Sequence, residues 1–345
     1  MDGALVIDKP SGPTSHDVVA RVRRVLGERR IGHTGTLDPL ASGLLLLVVG
    51  RATRLARFLS ASDKSYDAEI RLGVATDTYD AQGAPTTAPY VGPMPSSADV
   101  ERGLDAFRGT FLQQPPAYSA KKIGGQRSYK LARASRAAAG RPAAVPAVPA
   151  APATPAPPSF PAPDPVTVTA HAIVVTACDG DTVRLRVDCS TGFYIRSLAH
   201  DLGRRLGTGA HLTALRRTRS GAFTLASALT LETLERTPSV VAAALIPLSD
   251  MLPDLAAVAL TPEGVAHALH GRDVGPLEIT SVTSGFGIWD SGFDGRQTGP
   301  GSFESQIPNP KSLPPVRLLD PTGDLVALAE PVGHTGLLHP SVVLR

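Results

Sequence analysis

Cysteine is scarce in this chain: Cys178 and Cys189 are the only two among 345 residues. They stand eleven positions apart, a spacing that fits no metal site, and they read as reduced, buried thiols of a cytosolic protein. Long apolar runs are missing too. None reaches the roughly 18 residues that a membrane-spanning helix needs. The opening Met1-Asp2-Gly3-Ala4 lacks the basic stretch of a secretory signal. A cytoplasmic protein with no membrane contact is therefore expected. No glycine loop of the phosphate-cradling type occurs, and no His/Cys cluster has metal-ligand spacing. Neither a cofactor nor a metal is expected.

What the chain does have is core-forming content and an uneven charge. Its 345 residues, 42% of them hydrophobic, allow one large domain and a small one. Residues 246–345 carry 5 Lys and Arg against 11 Asp and Glu, whereas the first 245 carry 29 against 20. The basic residues cluster: Arg21, Arg23, Arg24, Arg29 and Arg30; Arg51, Arg54 and Arg57; Lys121, Lys122, Arg127 and Lys130; Arg216, Arg217 and Arg219. Clusters of this kind suit a polyphosphate partner. Residues 135–165 hold 10 Pro and 11 Ala, cannot build a core, and read as an insertion. Residues 276–315, rich in Gly, Ser and Pro, read as a second, disordered interruption.

The most unusual stretch is Gly32-His33-Thr34-Gly35-Thr36-Leu37-Asp38-Pro39-Leu40-Ala41-Ser42-Gly43. It runs into the apolar Leu44–Val49, which reads as a buried strand. Gly35 and Gly43 permit backbone angles that other residues resist. Pro39 fixes its own φ and pushes Asp38 towards an extended conformation. Asp38 is then either a carboxylate presented to a cleft or the cap of a short helical turn that Pro39 begins. Further on, Tyr66, Ala68, Ile70 and Leu72 alternate with polar residues, as in a half-buried strand. Thr76-Asp77-Thr78-Tyr79-Asp80-Ala81-Gln82-Gly83 is an acidic turn without the spacing of a calcium loop.

The twelve residues from Gly32 to Gly43 closely resemble the catalytic loop of the TruB family, the bacterial tRNA pseudouridine-55 synthases. Lys9-Pro10-Ser11-Gly12-Pro13-Thr14-Ser15 resembles that family's N-terminal motif and would brace the loop. The turn at 76–83, the stretch Gln113–Lys122, Gly192-Phe193-Tyr194-Ile195-Arg196 and Leu215-Arg216-Arg217 resemble further family segments. The resemblance implies an α+β fold: a pseudouridine synthase core with a mixed, largely antiparallel sheet over residues 1–245. A small PUA-like β-domain would follow over 246–345, with strand and turn pieces at Gly264–Gly271 and Val316–Leu344. It implies isomerisation of uridine 55 in the T arm of tRNA, by a monomer. Asp38 would be the catalytic carboxylate, His33 would lie beside the target nucleotide, Tyr66 would stack on the flipped base, and Leu215 would line its pocket.

Pseudouridine formation breaks the N1–C1′ bond and makes a C5–C1′ bond, with no redox change. The carboxylate must stay ionised, whether it acts as nucleophile or as base. Arg196 is the natural two-pronged partner to keep it so. Tyr194, or water beside Tyr66 or Asp38, would take the C5 proton. Asp80 is either a turn residue bonding its own backbone or a second acid behind Arg196 that fixes its orientation. Two other classes compete with this reading. One is an RNA-binding helper without catalysis. The other is an N-glycoside hydrolase, which usually needs two working carboxylates.

Overall fold

A computed structural model describes residues 1–118, 163–282, 314–333 and 335–344, and the backbone of two short strands between the first two stretches. The strands in order are β1 (Gly3–Lys9), β2 (Ile31–His33), β3 (Ser42–Val49), β4 (Lys64–Leu72), β5 (Gly109–Gln113), the hairpin β6 (Lys122–Ile123) and β7 (Gln126–Arg127), β8 (Val166–Asp179), β9 (Thr182–Cys189), β10 (Ala210–Ser220), β11 (Phe223–Thr224) and β12 (Leu229–Thr230). Ten of them form one sheet in the order β12-β1-β3-β10-β4-β9-β8-β5, with β2 beside β3 and β11 beside β10. Its pairings are antiparallel except β1 with β12 and β3 with β10. This is the mixed, largely antiparallel sheet that was expected. The Pro/Ala-rich stretch expected at 135–165 lies outside the described residues as far as residue 162.

β3 is apolar at successive positions because both of its faces are covered. Leu45, Leu47 and Val49 pack with Val18 and Val22 of the helix Ser15–Leu26. Leu44, Leu46 and Val48 pack with Leu325, Leu328 and Leu344 of the C-terminal part. β4 alternates instead: Tyr66, Ala68, Ile70 and Leu72 are buried, while Asp67 and Arg71 face solvent.

The sheet has a seam. The parallel contact between β3 and β10 consists of two residue pairs, Arg216 with Ser42 and Arg217 with Gly43. It alone joins β12-β1-β3 to β10-β4-β9-β8-β5 in the strand order. Gly43 has φ +92°, and a Cβ there would lie 2.3 Å from the Arg217 carbonyl oxygen. Gly35 is glycine for another reason than the one expected. Its φ is not positive, but a Cβ would meet Nη1 of Arg217 at 3.2 Å.

The C-terminal part is a five-stranded sheet, with β13 (Ala257–Leu260), β14 (Ile279–Val282), β15 (Val316–Leu319), β16 (Leu325–Val332) and β17 (Leu337–Val343) in the order β14-β13-β15-β16-β17. Two expectations need correction here. Gly264–Gly271 is not a strand and turn, because Pro262–Leu269 forms a helix. Thr261 caps it and Pro262 stands in its first turn, a start signal that outweighs the glycines. The interruption expected at 276–315 begins too early. Pro276–Glu278 is a 3-10 turn, and β14 pairs with β13 through Val282 and Ile279. Residues 283–313 lie outside the described residues. Nor does the C-terminal part stand alone. Arg51 Nη1 donates to the Leu344 carbonyl at 3.4 Å, beside the packing of Leu325, Leu328 and Leu344 on β3.

Gly43→Ala should destabilise the protein by about 3 kcal/mol or more, from left-handed strain and the clash at the seam. Denaturant unfolding checks this, and an unchanged midpoint would contradict the account of the seam.

Candidate active site

The loop between β2 and β3 is held from below by the N-terminal motif. Ser15 Oγ donates to the Leu37 carbonyl (3.1 Å) and accepts from the Leu37 amide (2.9 Å). Ser11 Oγ donates to the Leu40 carbonyl at 3.0 Å, and the Gly12 amide to that of Pro39 at 2.8 Å. Thr14 and Asp17 cap the following helix reciprocally. Lys9 is fully buried. Its Nζ donates to the carbonyls of Pro10 (2.9 Å) and Pro13 (2.8 Å), and burial pulls its pKa down to about 8.

Asp38 does not cap a helix. Its carbonyl closes a turn by accepting from the Ala41 amide at 3.0 Å, which leaves the carboxylate directed outward. The side chain keeps 37% of its exposure and meets Arg196, which keeps 7%, with Nε 2.9 Å from Oδ2. The expected two-pronged contact is replaced by a single one. The other two guanidinium nitrogens are taken by backbone. Nη1 donates to the Thr78 carbonyl at 3.1 Å and Nη2 to that of Tyr118 at 2.8 Å. Asp80 lies behind them, with Oδ2 3.8 Å from Nη1. Its Oδ1 accepts from Thr78 Oγ1 (2.6 Å) and from the Gln82 amide (3.0 Å). Asp80 is thus both a turn residue and the second acid behind Arg196.

Arg196 stands in the first turn of the helix Ile195–Leu206. That turn is fixed by the residue that opens the family-like stretch Gln113–Lys122, to which no role of its own was assigned. Gln113, 1% exposed at the end of β5, accepts from the Tyr194 amide at 2.8 Å and donates to the Tyr194 carbonyl at 3.0 Å. Next to it, the Gln114 carbonyl accepts from Ser197 Oγ at 2.7 Å. The available signal was Gln113 two residues after Phe111, a polar residue on the inward side of a strand.

Tyr66 is buried on β4, directly opposite Arg217 of β10. Burial raises its hydroxyl pKa, and the nearby charge of Arg217 opposes that rise. Arg217 is the clearest correction to the sequence reading. Its neighbours in sequence place it in a cluster suited to a polyphosphate, yet it is 2% exposed. Its Nε donates to the Leu44 carbonyl (2.7 Å) and its Nη2 to that of Gly35 (3.0 Å). Its neighbour Arg216 forms a bidentate pair with Asp8 at 3.0 and 2.8 Å.

Asp38, Arg196 and Asp80 are therefore brought into one chain of charges, with Tyr66 beside Arg217. His33 ends β2 with its ring edge-on to His16, centroids 5.4 Å apart. Leu215 is buried on β10 in register with Ala68. Tyr194 precedes the Arg196 helix, its backbone clamped by Gln113. Among the described residues no group of three or more His, Cys, Asp or Glu is placed to hold a metal ion. No helix there is long and apolar enough to cross a membrane.

The chain matches the family model described as TruB family pseudouridylate synthase (N terminal domain) over residues 23–147. Residues 196–252 match that of the tRNA pseudouridylate synthase B C-terminal domain. The chain is 40% identical over 351 residues to tRNA pseudouridine synthase B of Solibacter usitatus, with all of both chains covered. It is 39% identical over 350 residues to the protein of the same name from Thermobifida fusca, covering 99% of this chain and 98% of the relative. Among solved structures it is similar to a chain in the crystal structure of a Cbf5-Nop10-Gar1 complex, with TM-score 0.67, 25% identity, and 99% and 85% of the two chains covered. A chain in the structure of an H/ACA RNP bound to a substrate RNA containing 2'-deoxyuridine shares the fold, with TM-score 0.66, 24% identity, and 99% and 85% covered.

Arg217→Met should cost about 2–4 kcal/mol of stability, because two buried carbonyls lose their donor. Arg216→Gln should cost under about 1 kcal/mol, as expected for a half-exposed pair. Parallel denaturant titrations decide between them, and equal small losses would return Arg217 to the surface cations.

Proposed function

We infer the function from one premise: the chain belongs to the TruB family of pseudouridylate synthases. It isomerises uridine to pseudouridine in tRNA, at uridine 55 of the T arm, as a cytoplasmic monomer that needs no cofactor. The observation that carries this reading is the Asp38–Arg196 contact of 2.9 Å on a braced loop beside a buried tyrosine.

The reaction makes specific demands. A base inside a folded RNA arm must first leave its stack and enter a pocket. Tyr66 supplies a ring for it to stack on, Leu215 an apolar wall, and His33 flanks the nucleotide. The N1–C1′ bond then breaks and the freed uracil turns. C5 bonds to C1′, and the C5 proton departs while N1 ends protonated. Atoms and electrons balance without an outside reagent. Asp38 acts on the ribose or the base as a carboxylate, and both of its possible roles, nucleophile and base, need it ionised. The guanidinium of Arg196, with Nε 2.9 Å from Oδ2, holds that side chain in place. Because its remaining nitrogens are tied to Thr78 and Tyr118, the charge cannot swing away when the pocket fills, and Asp80 reinforces that hold from behind.

Asp38→Asn should abolish isomerisation of a tRNA transcript and leave affinity within a few-fold, since many residues share the binding. Retention of a tenth of the wild-type rate would remove Asp38 from the chemistry. Asp80→Asn should slow the single-turnover rate 10- to 100-fold, about 1.4–2.7 kcal/mol, with affinity nearly unchanged. A normal rate with only a lower melting temperature would reduce Asp80 to a turn residue.

A further inference from the structure

The acidic turn contains one conformation that its neighbours do not explain. Tyr79 has φ +65° and, with Leu252, is one of two non-glycine residues in the left-handed region among the described residues. A bulky side chain resists that region. Backbone hydrogen bonds hold the residue there in part. The Tyr79 amide donates to the Thr76 carbonyl at 3.2 Å, and the Leu212 amide donates to the Tyr79 carbonyl at 3.0 Å. The rest of the hold is aromatic. The Tyr79 ring lies flat on His200, with centroids 3.9 Å apart and planes 15° from parallel. Neither residue has a role in the family motifs; Tyr79 occupies the unassigned position between Thr78 and Asp80.

His200 is four residues after Arg196 on one helix, so the two side chains leave the same face one turn apart. The turn touches that face twice. Thr78 and Asp80 meet the guanidinium, and between them in sequence Tyr79 meets the imidazole. His200 makes this contact at a cost: its Nδ1 is buried with no hydrogen-bond partner among the described residues. Burial, with Arg204 nearby, also lowers its pKa to about 4. The stack on Tyr79 is therefore a close contact made by a buried ring whose Nδ1 has no hydrogen bond among the described residues.

We propose that the Tyr79–His200 stack is a positioning pair that fixes the turn on the helix, and so sets the aim of Arg196 at Asp38. It touches neither base nor ribose and acts only through Thr78, Asp80 and Arg196. The inference rests on the reading of Asp38 as the catalytic group.

Single-turnover rates and affinities for an unmodified tRNA transcript test it. Tyr79→Gly keeps the positive φ and removes the ring; its rate should fall about tenfold with affinity within about twofold. Tyr79→Phe keeps the ring and should keep the rate. Tyr79→Gly added to Asp80→Asn should cost nothing further, because both act through one guanidinium. His200→Ala should copy Tyr79→Gly, and His200→Phe should restore the rate; these two variants decide the matter if the glycine variant does not fold. A wild-type rate in the ring-deleted variant, an equal further loss in the Asp80→Asn background, or a loss of affinity instead of rate would overturn the proposal. Asp38→Asn run alongside separates the two levels. If it is inactive while ring deletion is harmless, this inference alone fails; if it is active, the underlying reading fails.

Discussion

Arg217 pins together the two halves of the sheet. β3 and β10 meet through two residue pairs only, too few for backbone bonding alone to fix a register. The guanidinium adds hydrogen bonds across the gap to Leu44 on β3 and to Gly35 on the loop that precedes it, while Tyr66 on β4 stands in register with Arg217 on the other side. Gly43 and Gly35 are glycines because this side chain and its backbone lie against them. The seam therefore sets the loop, the tyrosine and the strand that follows in one frame, and the site opens where the halves meet.

Asp38 enters that frame from one half and Arg196 from the other. The loop belongs to the β2–β3 side and is braced by Ser11, Gly12 and Ser15. The Arg196 helix follows β9 and is clamped to the end of β5 by Gln113 and Gln114. A 2.9 Å contact between groups carried by separate halves demands that each half be rigid. Several buried polar groups serve that demand. Lys9 and Lys64 are buried cations whose ammonium groups donate to backbone carbonyls, at Pro10 and Pro13 for the one and at Ser60 for the other. Burial pulls the pKa of each down to about 8.

The loop Gly32–Gly43 was legible because its residue types are unusual together, and β3 and β4 because apolar runs and alternation report directly on how many faces are covered. At Asp80, donor counting on a guanidinium offered a second acid behind Arg196 beside the plain alternative of a turn residue, and the geometry meets both. What the sequence hid was the use of cations. Arg216 and Arg217 are adjacent and look alike, yet one points to solvent beside Asp8 and the other into the seam; alternation along β10 decides this, and charge counting does not see it. Gln113 and the Tyr79–His200 stack were hidden for a related reason. Their partners lie 81 and 121 positions away, and no local pattern names a distant partner. In the C-terminal part, the cap Thr261-Pro262 marks the start of a helix that its glycines obscured.

On the proposed reading, a carboxylate aimed by one arginine moves a glycosidic bond from nitrogen to carbon without releasing the base. The most direct measurement treats a tRNA transcript, isotopically labelled in the uracil of position 55, with the purified protein, and follows the label through nuclease digestion. The account predicts that the label appears in pseudouridine, with no change in nucleoside mass and no free uracil. Free labelled uracil with an abasic site would make the protein a hydrolase. Label that stays in uridine while the transcript is bound would make it a binding protein. Either result would contradict the account.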